Sequence, residues 1–384
     1  MKILQVIPFF TPALSFGGPV KVCQQISSEL SKKGDSVTVW TTDAADTDNP
    51  ITKYDEIVNG ISIKRFKNFF PKLTHGYNIF TPIGFSSYAT KTISKYDVVH
   101  CHSFFTYQNI IISRVCRKHK VPYIIHLHET PIPNDLLGKK IIKSTYNRFF
   151  GKKILLNADS IIVVSSREKD LLSDYLPELN KRIFVVPNPI EKYEFNPSLK
   201  KTAKDSKTIL CLGRLSFIKS IDNLVLSFAE LLKKDDLYKL IIAGPNENKT
   251  LPKLQKLVND LAIADKVEFT GLITGEAKEK VFYRSDIFAL FSDYESFSVA
   301  SLEALQHNLP CCLSNNIGIA PQIEQSGAGV VVADTKNFSE CAEKMKFVYE
   351  NRYNLSKNCS KILPLFEISV IMNLIRTIYK KAIQ

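Results

Sequence analysis

Short apolar runs alternate with helical patterns along the whole chain, and this alternation predicts an α/β protein. The apolar runs predict buried strands because they end at a proline, a glycine or a polar turn. The intervening segments show helical spacing, as in residues 20–30, which precede a stop at Gly34. In the first half, strands are predicted at residues 2–7, 37–41, 97–102, 121–127, 160–165 and 182–186.

The second half repeats this alternation after a break. Residues 187–189 are Pro-Asn-Pro, and residues 191–207 are polar and rich in lysine, so a domain boundary is expected there. Each half therefore predicts a doubly wound domain with a largely parallel sheet. A long final helix is predicted from about Leu363 to Ala382. The strands predicted in the second half are residues 208–212, 239–243, 266–270, 287–291, 310–313 and 329–333.

The most informative polar groups of the second half lie in residues 294–305, Tyr-Glu-Ser-Phe-Ser-Val-Ala-Ser-Leu-Glu-Ala-Leu. The pattern places Glu295 in a strand-to-helix loop and Glu303 within the helix. Ligands of open parallel sheets bind beyond the carboxyl ends of the strands. Free N–H groups near Ser298 and Val299 favour an anion there. A nucleotide sugar suits this site; a capped surface helix with two solvated glutamates is the alternative.

A second polar segment, Gly213-Arg-Leu-Ser-Phe-Ile-Lys219, follows the first predicted strand of the second half. Arg214 would bind a diphosphate through two parallel N–H groups of its guanidinium, and Lys219 would contribute a single positive charge. Basic residues are common in loops, so the segment alone is weak evidence. Together with residues 294–305 it predicts two neighbouring loops that supply cations and carboxylates to one ligand.

Four histidines lie at the ends of two predicted strands in the first half: His100, His102, His126 and His128. On an extended strand, His126 and His128 point to the same face. One of them would serve as a general base or as a polar contact to a substrate. Structural histidines at strand ends are the alternative.

The charge of the chain is concentrated in its first half. The net charge is +13, and residues 1–190 hold 25 Lys and Arg against 15 Asp and Glu. This excess indicates an anionic partner: nucleic acid, an anionic membrane surface or a phosphorylated acceptor. A generally basic proteome is the alternative.

Two segments mix this charge with apolar residues. Residues 136–156 contain six Lys and Arg and no acid, with apolar residues interspersed, which indicates a membrane-surface helix or a surface helix with a basic outer face. Residues 64–72 are basic and aromatic, as at a membrane or nucleic-acid contact or in a core strand with a solvated edge.

Several other classes of protein are disfavoured. The apolar start is too short for a signal peptide and meets Pro8, and no apolar run approaches the roughly 18 residues of a membrane span. The eight cysteines lack CxxC spacing, which predicts buried, reduced thiols in a cytosolic protein. Asp46 and Asp48 are predicted to lie in a solvated turn, and no metal site is predicted.

The polar motifs together resemble the retaining glycosyltransferases of family 4, which have the GT-B fold. The resemblance rests on Gly213-Arg-Leu-x-x-x-Lys219 followed by Glu295-x-Phe-x-x-x-x-x-Glu303, and it extends over the whole chain. Further motifs in the expected order are Gly17-Gly18, Asp97-Val-Val-His100, the histidine after the strand 121–127, Val185-Val-Pro-Asn188 and Ala304-Leu-x-x-x-x-Pro310.

The resemblance implies two facing Rossmann-like, doubly wound domains with the active site in the cleft between them. Residues 1–190 would bind the acceptor, and residues 191–363 would bind the nucleotide sugar. Residues 364–384 would form a helix that crosses back to the first domain.

The resemblance also implies a role for each matching residue. Arg214 and Lys219 would neutralise the diphosphate, Glu303 would hold the ribose, and Glu295 would hold the sugar. His128, with His126 as second choice, would contact the sugar at the reacting centre. The implied catalytic set is His128, Arg214, Lys219 and Glu295; the donor-binding set is Gly17, Gly18, His126, Phe297, Ser298, Val299 and Glu303.

Four positions depart from the family pattern. Ser298, Ser220 and Pro189 stand where the family has glycine, and Gln322 stands where it has glutamate. These departures leave a catalytically inactive relative, acting as a partner subunit, as the alternative to an enzyme.

The function implied is sugar transfer with retention from a UDP- or GDP-linked donor, without a metal or other cofactor. The acceptor would be a glycan or a lipid-linked glycan in cell-surface polysaccharide synthesis, and no nucleic acid would be bound. The expected location is cytoplasmic, either free or peripheral on the inner face of the plasma membrane. The oligomeric state stays open, and a nucleotide-sugar epimerase of the same fold is a further alternative.

Overall fold

The chain divides into two compact units, each built on its own sheet. One unit comprises Met1–Pro189 and Ile368–Gln384, and the other comprises Ile190–Glu367. Two Rossmann-like domains are therefore present, as the alternating pattern predicts. The computed structural model describes residues 1–13, 17–45, 49–71, 74, 79–132, 140–190, 206–247 and 249–384. Asp46 and Asp48 lie outside the described residues.

An eight-stranded sheet in the order β3-β4-β2-β1-β5-β6-β7-β8 forms the centre of the first unit. Its strands are β1 (Lys2–Val6), β2 (Ser36–Thr42), β3 (Asp55–Val58), β4 (Ile61–Phe66), β5 (Val98–His102), β6 (Tyr123–His126), β7 (Ser160–Val163) and β8 (Ile183–Val185). All neighbouring pairs are parallel except β3 with β4, which form an antiparallel hairpin at the edge. The alternation of apolar runs missed β3, because an edge strand with exposed Ile57 and Val58 has no buried apolar run. It also did not list β4, although residues 64–66 lie in this strand, as the core-strand alternative for residues 64–72 expects.

The helices of the first unit cover both faces of this sheet, since two separate clusters of buried side chains flank it. They are α1 (Gly18–Lys32), α2 (Phe85–Thr92), α3 (Tyr107–His119), α4 (Lys140–Tyr146), α5 (Lys152–Asn157) and α6 (Ser166–Tyr175). A five-residue π-helical turn joins α4 to α5, so the basic segment is helical through residues 140–157, as predicted. Its remaining predicted residues, 136–139, lie outside the described residues.

The second unit has a six-stranded, fully parallel sheet in the order β11-β10-β9-β12-β13-β14. From β9 the chain adds β10 and β11 toward one edge of the sheet, and the next strand, β12, lies on the other side of β9. The strand order therefore reverses between β9 and β12, and ligands of such sheets bind at this switch point. Its strands are β9 (Lys207–Leu212), β10 (Tyr238–Ala243), β11 (Val267–Gly271), β12 (Ile287–Leu290), β13 (Cys311–Ser314) and β14 (Gly329–Val332). Its helices are α7 (Ile221–Leu232), α8 (Thr250–Asp260), α9 (Gly275–Tyr283), α10 (Val299–Gln306), α11 (Ala320–Ser326), α12 (Phe338–Glu350) and α13 (Arg352–Ile362).

The final helix, α14 (Ile368–Ile383), begins later than the predicted start at Leu363. Leu363–Phe366 instead form a short 3-10 turn, and Glu367 is extended, which separates the turn from the helix. Four apolar side chains of α14 pack into the first unit against β1, β2 and β5, where Tyr379 is also fully buried. The apolar residues of α14 in this core are Ile371, Met372, Ile375 and Ile378.

The cysteines are all free and buried, as predicted. None of the helices in the described part of the chain is both long enough and apolar enough to cross a bilayer.

Candidate functional site

In the second unit, the loops that follow β9 and β12 carry most of the predicted site residues. Because the two strands are neighbours, the loops meet: the Asp293 N–H donates to the Ile218 carbonyl oxygen at 3.0 Å. The Lys219 ammonium contacts a carboxylate oxygen of Glu295, and both side chains are largely buried. Two residues that the sequence separates by 76 positions are thus adjacent in the sheet.

The ammonium of Lys219 is easier to deprotonate than that of an ordinary lysine. Burial and the nearby Arg214 guanidinium lower the pKa of Lys219 to about 8. The neighbouring Cys211 and Glu247 act in the opposite direction, since a negative charge favours the charged amine. When another anion binds beside Lys219, it favours the protonated amine, and Lys219 then carries its full positive charge.

Arg214 is more open than Lys219. Its Nη1 donates to Glu247 Oε1 at 2.9 Å, and 60% of the side chain is exposed. Glu247 is a neighbour that the sequence patterns did not single out. Arg214 therefore keeps most of its guanidinium available, but its carboxylate partner competes for one edge.

Gly244, at the end of β10, is a second residue that sequence reasoning missed. A Cβ built there would lie 1.8 Å from the carbonyl oxygen of Gly213, and the φ of Gly244 is +146°. The loop that begins at Gly213 can approach β10 only because position 244 has no side chain. The dipeptide Gly244-Pro245 directly after an apolar run was the available signal.

Ser298 has a backbone conformation that favours glycine, with φ 87° and ψ 86°. Its Oγ accepts a hydrogen bond from the Ser301 N–H at 3.3 Å and so caps α10. Ser220 is also left-handed, with φ 44°. Both serines that replace family glycines thus keep the left-handed backbone geometry that glycine favours, and Ser298 adds a cap that glycine lacks.

The remaining predicted residues of the second unit have structural partners. Glu303 on α10 accepts from Lys278 Nζ at 2.6 Å, and this lysine was not predicted. Phe297 is buried, and its ring centroid lies 5.6 Å from that of Phe366. Val299 is the first residue of α10.

Gln322, which replaces the family glutamate, fits its position as an amide. With its nitrogen turned inward, it donates to the carbonyl oxygens of Gly318 at 3.3 Å and Ile319 at 3.1 Å. A glutamate carboxylate has no proton to donate to two carbonyls. The local backbone therefore explains why an amide is accommodated here.

In the first unit, the four predicted histidines form one cluster at the carboxyl ends of β5 and β6. The rings of His126 and His128 stack with centroids 4.2 Å apart, as expected for residues on one face. His102 Nδ1 lies 3.0 Å from His128 Nε2. Burial lowers the pKa of His100 and of His128 to about 3, and it lowers the pKa values of His102 and His126 well below the usual range. All four rings are therefore neutral at pH 7.

A hydrogen-bonded chain fixes the tautomer of His128. Gln5 Nε2 donates to the Tyr379 hydroxyl at 3.2 Å, and Gln5 Oε1 lies 2.8 Å from His102 Nε2. An amide oxygen only accepts, so His102 Nε2 carries the proton and its Nδ1 is the acceptor for His128 Nε2–H. The Nδ1 of His128 is then unprotonated. Gln5 and Tyr379 were not predicted, because no local pattern joins residues 374 positions apart.

The ring geometry of the cluster is unfavourable for a metal ion. One nitrogen from each of His100, His102 and His126 lies within 4.8 Å of the others. Yet the rings of His100 and His126 are stacked at an interplanar angle of 4°. Lone pairs lie in the ring plane, so stacked rings direct them along parallel lines, whereas a tetrahedral ion needs them to converge.

Gly17 and Gly18 lie at the start of α1. Gly17 has φ 91° and ψ −153°, a conformation that essentially requires glycine. Among the described residues, which exclude 14–16, no atom lies within 4 Å of a Cβ built at either position. The roles assigned to these glycines, as to the other site residues, stay predictions.

Comparison with known proteins identifies relatives over most of the chain. The family model described as Glycosyltransferase Family 4 matches residues 16–192, and the model described as Glycosyl transferases group 1 matches residues 193–363. The alpha-monoglucosyldiacylglycerol synthase of Streptococcus pneumoniae is 28% identical over 310 residues, which cover 76% of this chain and 66% of that protein.

Two solved structures resemble this one over nearly the whole chain. The sucrose-phosphate synthase of Thermosynechococcus elongatus has a TM-score of 0.76 at 17% identity and 99% coverage of both chains. HepE of Anabaena, in complex with UDP and glucose, has a TM-score of 0.68 at 16% identity and 98% coverage of both chains. At these identities the likeness shows the fold alone, and it confirms the predicted GT-B class.

Proposed function

This chain belongs to the glycosyltransferases of family 4, and we propose that it moves a sugar from a UDP- or GDP-linked donor to a glycan or lipid-linked acceptor in cell-surface polysaccharide synthesis. The neighbour HepE, which holds UDP and glucose, supports such a donor. The relative named for a glucosylated diacylglycerol supports a lipid acceptor.

The contact between Lys219 and Glu295 is the observation that carries this proposal. Breaking a sugar–phosphate bond places negative charge on the diphosphate oxygens. A buried cation stabilises that charge more strongly than one in water, because little solvent screens it. Lys219 and Arg214 hold the diphosphate, and Glu295 beside them holds the hydroxyls of the sugar.

The other predicted residues take supporting roles. The backbone from Phe297 to Val299 holds the transferred sugar together with Glu295, and Glu303 holds the ribose hydroxyls. His128 contacts the sugar at the reacting centre, and the N–H of Gly18 binds the diphosphate. For His128, the unprotonated Nδ1 suits a hydrogen bond from a sugar hydroxyl.

We further propose retention of the anomeric configuration without a metal ion. The acceptor oxygen attacks the anomeric carbon from the face that the diphosphate leaves, and a diphosphate oxygen takes the acceptor proton. Lys219, Arg214 and helix N–H groups supply the charge stabilisation that a divalent ion gives in other transferases. NMR of the product tests retention, and unchanged turnover in excess EDTA tests the metal requirement. An inverted linkage or loss of turnover in EDTA contradicts these steps.

The substitution Lys219→Ala tests the central role of this residue. Turnover should fall by roughly 10²–10³-fold, as when one oxyanion-stabilising group is removed. Lys233→Ala is the matched control, because Lys233 is also ion-paired but lies on the surface with 69% of its side chain exposed. Near-normal turnover of the Lys219 variant would refute the assignment.

Donor identity is best screened by thermal shift with UDP, GDP and their sugars, since a ligand stabilises the fold by mass action. The replacements at Ser298, Ser220 and Gln322 motivate one competing function, a catalytically inactive partner subunit. Calorimetry separates the two: an inactive subunit binds no nucleotide sugar, whereas the enzyme binds one. We place the protein in the cytoplasm, peripheral to the inner face of the plasma membrane, on the strength of its basic first half.

A further inference from the structure

An apolar cavity of about 520 Å³ opens on the first unit, and we call it the groove. None of the residues that line it has a role assigned above, and its volume is that of a small-molecule site. Described residues from three separate stretches of the chain line it: residue 69 with residues 79–83, residues 105–110, and residues 142–146. The side chains that matter here are Phe69, Ile83, Tyr107, Ile110, Ile142 and Tyr146.

The lining of the groove is unusually exposed for apolar side chains. Phe69 is 62% exposed, Ile142 is 55% exposed and Ile83 is 52% exposed. Single exposed apolar residues need no explanation, but a contiguous set around a concavity marks a binding surface. These side chains together form one apolar surface around the concavity that an apolar ligand could cover.

The surface next to the groove is strongly basic. Ile110 lines the groove and also a second cavity of about 230 Å³, whose walls include Arg114, Arg117 and Lys153. Among the described residues, none of these three cations forms an ion pair. Residues 103–158 contain ten Lys and Arg against two Asp and Glu. An anion placed beside Ile110 is thus favoured at one end of the groove.

We propose that the groove binds the hydrocarbon chain of an anionic lipid, whose phosphate lies against Arg114, Arg117 and Lys153. A concave apolar slot beside cations without ion pairs complements a molecule with one long apolar chain and one charged end. Because α3 begins beyond the carboxyl end of β5 and runs back from it, Arg114 and Arg117 lie further from that edge of the sheet than Tyr107 does. The lipid is therefore held apart from the reacting centre and is not the acceptor, and its binding needs neither donor nor turnover.

Chain length provides the first test. Octyl, decyl and dodecyl phosphate are titrated into the full chain by calorimetry, below their critical micelle concentrations and without nucleotide. Each buried methylene should tighten binding about fourfold until the groove is filled. Glycerol phosphate, which has no chain, is the reference for phosphate alone. Affinity that does not change with chain length overturns the proposal.

Two pairs of neighbouring residues provide matched variants. Ile142 lines the groove, whereas the adjacent Ile141 is 82% exposed and does not line it. Ile142→Ser should weaken dodecyl phosphate about tenfold, and Ile141→Ser should leave it unchanged. Equal losses indicate general adhesion to a lipid surface and contradict a specific groove.

Arg117→Gln with Lys118→Gln as control tests the phosphate end. Arg117 lines the basic cavity, while its exposed neighbour Lys118 does not. The preference for dodecyl phosphate over dodecanol should shrink several-fold in Arg117→Gln only. A wild-type dimer that Ile142→Ser dissociates, with no alkyl phosphate bound, would assign the groove to a second copy instead. Sugar transfer to soluble acceptors without alkyl-phosphate binding would overturn the lipid groove and leave the proposed enzyme intact.

Discussion

The pKa of Lys219 makes donor binding depend on pH in a defined direction. In the free protein, burial and Arg214 lower that pKa to about 8. A bound diphosphate adds two or more negative charges beside the ammonium and returns its pKa toward the ordinary value of about 10.4. Binding therefore takes up a proton wherever free Lys219 is partly neutral.

The magnitude follows from the two protonation states. With a pKa near 8, Lys219 is about nine-tenths charged at pH 7, half charged at pH 8 and one-tenth charged at pH 9. Only the charged form offers the cation, so the Kd for UDP or GDP should rise about tenfold from pH 7 to pH 9. At pH 8, each bound nucleotide should take up about half a proton.

Calorimetry in buffers of different ionisation enthalpy measures this proton uptake directly. Lys219→Arg is the control, because a guanidinium stays charged throughout the range and should give a flat profile. A constant Kd for the wild-type chain between pH 7 and pH 9 would refute the reasoning. So would the same pH dependence in the Lys219→Arg variant.

The same lowered pKa of Lys219 predicts that the free energy of unfolding rises with pH, whereas the affinity for nucleotide falls. The unfolded chain binds its lysine proton up to about pH 10.4, while folded Lys219 loses it near pH 8. The unfolded state therefore holds more protons between these values, and the contribution of Lys219 to the free energy of unfolding rises with pH across that window. Lys219→Met should remove this rise in urea denaturation.

Three further variants test the described geometry. Gly244→Ala should lower the free energy of unfolding by at least ~2 kcal/mol in urea denaturation, because its Cβ collides with the Gly213 carbonyl; an unchanged midpoint contradicts the close approach. Ser298→Gly should raise it by about 1 kcal/mol, since relief of the left-handed backbone outweighs the lost cap; a decrease would show that the cap dominates. His126→Phe should unfold at a lower pH than the wild type, because burial keeps the pKa of His126 well below that of the unfolded chain, so protonation of the unfolded state costs the wild type stability as the pH falls below about 6.5. Identical acid unfolding of wild type and variant would disprove that cost.

The positions of strands and helices followed closely from local patterns. Buried parallel strands such as β9 and β12 are apolar throughout, so their period and length are visible without a fold. The edge strand β3 was not predicted, because most of its side chains face solvent and show no such apolar pattern. The start of α14 was misplaced because Leu363 and Leu365 continue an apolar pattern through a turn that Pro364 interrupts.

The predicted site residues differ in how far the sequence could locate them. Arg214 and Lys219 follow a strand directly, so their place at its carboxyl end was a local inference. Their carboxylate partners were not local, because Glu247 and Glu295 lie in the loops that follow two other strands, β10 and β12. Only the order of strands brings those side chains together.

The sequence by itself determined that this chain is a two-domain α/β protein and which loops carry cations, carboxylates and histidines. Those features follow from local sequence patterns that repeat every few residues. The tertiary structure alone decided that Lys219 meets Glu295, which the sequence offered only as two neighbouring loops. It likewise decided that Gln5 donates a hydrogen bond to the Tyr379 hydroxyl next to the histidine cluster. Such contacts depend on sheet order and burial, which no local pattern encodes.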